Sequence, residues 1–156
     1  MALNNGVQDV SAIGFSIHCK ASKTFPSGFL MTAFPDDSDP FDIPAIDIAS
    51  AAMGPNGDLV TWGAPTPITI TINVLPDSQE DQNLAVILEA NRAGKGKTRA
   101  RDVITMVGQY ADGSSITLSQ GVMTNGMPAK SVSSDARIKT KSYSFTFQTL
   151  SQTRSN

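Results

Sequence analysis

The sequence predicts a mainly β protein carrying one helix, and three observations predict it. Residues 67–75 alternate without a break, Ile68, Ile70, Ile72 and Val74 to one side and Thr69, Thr71 and Asn73 to the other. Residues 137–149 repeat that period of two, with Tyr143, Phe145 and Phe147 opposite Ser142, Ser144, Thr146 and Gln148. Only the stretch after Pro76 changes period: Leu84, Ile87 and Leu88 form one apolar stripe at helical spacing.

In chain order, residues 12–19 read as a strand with Ile13, Phe15, Ile17 and Cys19 on one side and Gly14, Ser16 and His18 on the other. A second short strand over 28–34 carries Phe29, Leu30, Met31 and Phe34. The segment from Pro35 to Pro44 holds three prolines and Asp36, Asp37, Asp39 and Asp42, a composition that predicts an acidic loop with neither strand nor helix. Regular pattern resumes at Ile46-Asp47-Ile48, and Gly54-Pro55-Asn56-Gly57 marks a tight turn leading into Leu59-Val60-Thr61-Trp62. For the helix, Asp77 with Glu80 offers a capping box, acids suit the positive end, and Arg92 with Gly94 supplies the stop. A strand over 102–110 turns at Ala111-Asp112-Gly113 into a partner running from Ser114 to about Met123. About seven or eight strands result.

At 156 residues the chain has room for one domain with its own core, an N-terminal arm over 1–11, the protruding acidic loop 35–44 and a polar, loose C-terminal arm over 150–156. No apolar run approaches the roughly 20 residues that span a bilayer, and the polar opening lacks a signal peptide's regions. Cytoplasmic synthesis with no membrane partner is the expectation. One cysteine, Cys19, excludes an internal disulfide framework and reads as a buried strand thiol.

Charge is split along the chain. Up to Glu89 there are eleven acids against two bases, a balance of −9; from Arg92 onward ten bases face three acids, a balance of +7. Such asymmetry suits head-to-tail self-association, and a nucleic-acid surface is the rival account.

Motifs for chemistry are weak. Gly96-Lys97-Thr98 resembles the end of a phosphate-binding loop, but the pattern needs glycine where Asn91 stands, with a strand before it and a helix after it. The aspartates of 36–42 lack the glycine and closing glutamate of a calcium loop. His18 and Cys19 are strand neighbours and point to opposite faces, so they build neither a metal cage nor a nucleophilic pair. The sequence therefore offers no catalytic residue, no metal site and no cofactor.

The order of motifs resembles the tail-tube proteins of contractile-tailed bacteriophages. The resembling residues run from Ser50 to Val60, Pro67 to Pro76, Asp81 to Leu84 and Glu89 to Arg92. They continue with Lys95-Gly96-Lys97, Ala100-Arg101-Asp102 and Arg137 to Phe147. The resemblance spans roughly 12–149 and implies a tail-tube-like β-sandwich or split barrel with a flanking helix. It further implies a virion structural subunit, not an enzyme, made in the host cytoplasm. Six copies would form a ring, rings would stack, and genomic DNA would pass through the lumen without specific binding. A long hairpin loop and the termini would bridge rings, and the partners would be tail sheath, baseplate and tail-terminator proteins. On this view Asp36, Asp37, Asp39 and Asp42 make an inter-ring loop, and Lys95, Lys97, Arg99 and Arg101 an inter-subunit basic loop. Thr69, Thr71, Asn73, Ser142, Ser144 and Thr146 become lumen-facing candidates, their neutral hydroxyls giving DNA phosphates no cation to hold. The alternative is a soluble β-barrel module gripping nucleic acid with its basic loop 94–101.

Overall fold

A computed structural model describes residues 13–154; the expected arm over 1–11 lies outside them. Nine strands and one helix follow in order among the described residues. They are β1 (Ser16–Ala21), β2 (Phe25–Met31), β3 (Phe41–Asp42), β4 (Ala49–Met53), β5 (Leu59–Gly63), β6 (Ile68–Val74), α1 (Gln79–Asn91), β7 (Ile104–Gln109), β8 (Ser115–Gly126) and β9 (Lys141–Thr153). Seven strands form one antiparallel sheet in the order β2-β1-β7-β8-β9-β6-β3, while β4 and β5 form a separate two-stranded sheet.

The large sheet curls until its distant members meet. The amide of Leu75, after β6, donates to the Ala33 carbonyl, after β2, at 3.2 Å. The Phe15 ring, before β1, lies 5.4 Å from that of Phe41 in β3 and 5.9 Å from that of Phe34. Sheet twist carries the edges toward each other, so the architecture is a split barrel closed by a seam. Inside it are Ile17, Cys19, Met31, Ile70, Ile72, Ile104, Met106, Ile116, Leu118, Tyr143, Phe145 and Phe147. Helix α1 packs across β2 and β8, adding Leu84 and Ile87 to this core. Where β8 passes the aromatic rows, a Cβ on Gly121 would lie 2.2 Å from the Phe147 ring, so only glycine fits there.

Several boundaries depart from expectation, each for a physical reason. The acidic loop does contain a strand: Phe41 and Asp42 pair with Ile72 and Thr71, because the edge of β6 would otherwise leave its backbone groups unpaired. Ile46-Asp47-Ile48 is not a strand; pairing starts at Ala49. The first strand begins at Ser16, and the second spans Phe25–Met31 around the turn at 22–24. Ser78, not Asp77, is the N-cap: its hydroxyl accepts from the Asp81 amide at 3.2 Å, and Asp81 reaches back to the Asp77 amide at 3.0 Å. The capping box is thus shifted by one residue. At the other end Arg92 is extended, not left-handed, and Gly94 does not provide the stop. Instead the Ala100 amide and the Lys97 ammonium satisfy the orphan carbonyls of Ala90 and Glu89. The C-terminal arm is shorter than expected, since Leu150 to Thr153 continue β9 against β8.

Candidate assembly surfaces

Alternation divides β6 and β9 as the sequence implies. Ile70, Ile72, Val74, Tyr143, Phe145 and Phe147 point into the barrel. Thr69, Thr71, Asn73, Ser142, Ser144 and Thr146 occupy the outer face, where they pair across the strands. Thr69 meets Thr146 at 3.3 Å and Thr71 meets Ser144 at 3.3 Å; the Ser142 hydroxyl donates to the Asn73 side-chain oxygen. The result is a hydroxyl-rich wall without a formal charge on these six residues. Its side chains bond one another, which fixes their rotamers while the face stays wet.

The acidic loop is tied down within its own chain. Arg137 donates to Asp36 at 2.7 Å and the Thr140 hydroxyl to Asp37 at 2.6 Å, both from the β8–β9 connection. The hydrogen bond from Arg137, with its charge, holds the Asp36 carboxyl below the usual range. Asp39 and Asp42 take no ion pair among the described residues, and Asp42 sits in β3 opposite Thr71.

The four bases of the loop after α1 play different parts. Lys97 caps the helix and pairs with Glu89 at 3.1 Å, a carboxylate that the Arg92 and Lys97 hydrogen bonds lower to about 2. Lys95, Arg99 and Arg101 are exposed and form no ion pair among the described residues. Arg101 has a left-handed backbone, φ 56°. Asp102 is buried and accepts from the Lys23 amide at 2.7 Å, the Thr24 amide at 3.0 Å, the Thr24 hydroxyl and the Asn91 amide nitrogen at 2.8 Å. Burial alone would raise its pKa; these donors outweigh burial and lower it. One aspartate thus joins the β1–β2 turn, the helix end and the entry to β7.

A second buried cluster anchors the helix. Asp81 accepts from the Tyr143 hydroxyl at 2.9 Å and lies 3.5 Å from the Lys141 ammonium, with both charged side chains almost fully buried. Burial, then Asp81, pushes the Tyr143 phenol upward. Lys141 was legible as the residue that shares the parity of Tyr143; sequence reasoning missed it. The cluster is closed by α1 and already internally paired, which suits a structural strut. Cys19 is equally enclosed, its thiol pushed up to about 12 by burial. Among the described residues no group of three or more histidines, cysteines and carboxylates is placed to hold a metal.

The surface that sequence reasoning did not single out is the β4–β5 hairpin. Every residue of both strands is exposed, including Met53, Leu59, Val60 and Trp62. Its tip is fixed by Gly54 N–H to Asp58 O at 2.7 Å, and its neck by the Thr66 hydroxyl to Asp47 O at 2.6 Å. Two five-residue strands with no covered face lack the packing that ordinarily stabilises a hairpin. A signal was present: Met53 and Leu59 fall on one face of the hairpin and Val60 and Trp62 on the other, so apolar side chains stand on both faces.

The described residues thus form a split barrel with one helix, an exposed apolar arm and a neutral hydroxyl wall. Residues 8–151 match the profile of the family described as Tail fiber protein gp32, and the chain belongs to that family. No curated protein matches it. Among solved structures it is similar to a chain in the sheath/tube terminator of an extracellular contractile injection system, at 11% identity and TM-score 0.59 over 95% of this chain and 99% of that one. It is also similar to a chain of the anti-feeding prophage baseplate, at 11% identity and TM-score 0.58 over 94% and 96% of the two chains. A chain of that prophage's tube-terminating cap gives 13% identity and TM-score 0.53 over 99% and 95%. At these identities the likeness concerns the fold.

Proposed function

We propose that this chain is the repeating subunit of a tail tube, six copies to a ring and rings stacked around a lumen that conducts DNA. The observation that carries this reading is the β4–β5 arm, whose exposed apolar residues need cover from a further copy. The hydroxyl wall of β6 and β9 supplies the lumen surface: a basic wall would release counterions from DNA and retain it, and a neutral one does not. Sheath, baseplate and terminator proteins are the partners, and the virion tail is the location. Asp36, Asp37, Asp39 and Asp42 contribute to the contact between rings, and Lys95, Arg99 and Arg101 to that between subunits.

The barrel favours the tube over the fibre of the family's description, because the described residues close on themselves instead of stacking a repeat. Electron microscopy of the purified chain tests the proposal, with rings or tubes expected. Dispersed monomers that bind duplex DNA through 94–101 would transfer the function to a nucleic-acid module.

A further inference from the structure

We propose that the β4–β5 arm of one copy seats in the recess beside the C-terminal end of α1 on a second copy, Asp58 meeting Arg99 and Arg101. This rests on the tube-subunit reading and names the partner surface within it. The recess, of about 340 Å³, has an apolar floor of Val103, Val122 and Met123 and a basic rim of Arg99 and Arg101. Val103 and Val122 are each about half exposed, at 49% and 51%, so the floor is an apolar surface open to solvent.

The arm presents the matching chemistry. Ser50 pairs with Trp62 and Ala52 with Val60, so the alternation puts Val60 and Trp62 on one face. Small residues lie between them and permit close approach. Asp58 is exposed at the tip beside Leu59, which places one carboxylate at the end of the arm. The bonds at both ends of the arm favour the hairpin, and docking supplies the apolar cover that its strands lack.

Intrachain pairing sharpens the charge argument. Asp36, Asp77, Asp81 and Glu89 are matched within the chain by Arg137, Lys130, Lys141, and Arg92 with Lys97. Among the acids without an ion pair in the described residues, Asp39, Asp42, Asp47 and Asp58 follow one another from just before β3 to the start of β5. Among the bases, Lys95, Arg99 and Arg101 cluster after α1. An acidic arm and a basic recess on different parts of one chain form a heterologous contact, which propagates from copy to copy.

The left-handed backbone of Arg101 provides a clean test. Glycine adopts that conformation freely, so Arg101→Gly removes the cation and relieves strain together. The melting temperature should hold or rise, while the concentration for half-assembly increases at least tenfold. A second measurement uses inserted thiols, since Cys19 is enclosed. Chains carrying Asp58→Cys, mixed with chains carrying Arg101→Cys and oxidised under assembly conditions, should give the mixed disulfide dimer, and neither chain alone should dimerise. Wild-type assembly with an unaffected Arg101→Gly variant, or a statistical mixture of all disulfide dimers, overturns the docking and leaves the tube reading standing. Wild-type chain that stays monomeric at every concentration, with no mixed dimer, overturns both.

Discussion

Replacing Asp102 by asparagine removes one charge and one acceptor from the side chain that joins three elements of the barrel. The asparagine oxygen can serve the two backbone amides of Lys23 and Thr24, and the Thr24 hydroxyl can rotate to accept. Asn91 cannot adapt. Its nitrogen also donates to Ile87 O at 2.8 Å and its oxygen accepts the residue 102 amide at 2.8 Å, so two amino groups would face each other. One charge-assisted hydrogen bond, about 1.5–3 kcal/mol, is lost outright and the remaining bonds weaken. A total of about 2–4 kcal/mol follows, the lost bond plus part of each weakened one. Urea unfolding of unassembled subunit measures it, followed by far-ultraviolet circular dichroism, because Trp62 sits on the exposed arm and reports poorly on the barrel. The folded carboxyl has a lowered pKa, so its stabilisation is present above the unfolded carboxylate range and is lost as pH falls through the folded value. The gap between wild type and variant should therefore narrow in acid. A gap below about 1 kcal/mol at neutral pH, or one unchanged through acid, would refute the account of Asp102.

Tyr143→Phe should cost about 1.5–3 kcal/mol by removing the hydroxyl bond to Asp81, and Lys141→Met about 3–5 kcal/mol by leaving Asp81 buried and less compensated; urea midpoints rank the two. Wild type should weaken above the ordinary phenol range, since the Tyr143 phenol is raised in the fold and its contribution fades as pH passes the unfolded value; Tyr143→Phe should flatten that alkaline limb. Gly121→Ala should destabilise by about 1–3 kcal/mol or more, read as a fall in melting temperature, because the new methyl meets the Phe147 ring. Thr71→Lys should leave the fold and assembly intact and slow DNA passage at low salt, measured as ejection rate against ionic strength.

The period of two made β6 and β9 legible, together with the inward or outward direction of each of their residues, because one buried face forces a strict alternation. The helix was legible for the same kind of reason, although its cap lay one residue later: Asp77 takes a left-handed φ of 64°, which no spacing rule reveals. The two-residue β3 was hidden because prolines predict loop, while the need it meets belongs to the exposed edge of β6. The basic loop divided in a way that composition conceals. Lys97 is drawn to the helix end by its bond to the Glu89 carbonyl, while Arg101 stays exposed beside the buried Asp102. The arm was missed because its apolar residues fall on both faces, and only their exposure among the described residues shows what it is.

The seam between the ends of β2 and β6 gives the subunit a mechanical character. Six strand-to-strand ladders hold the wall, while among the described residues one backbone hydrogen bond, Leu75 to Ala33, crosses between those ends, backed by the Phe15, Phe34 and Phe41 rings. A cylinder slit along its side changes girth by opening the slit before its wall stretches. Radial load on this barrel therefore concentrates at ring contacts that can slide, and the ladders that position the hydroxyl wall are spared. The subunit is compliant around its circumference and stiff along its strands.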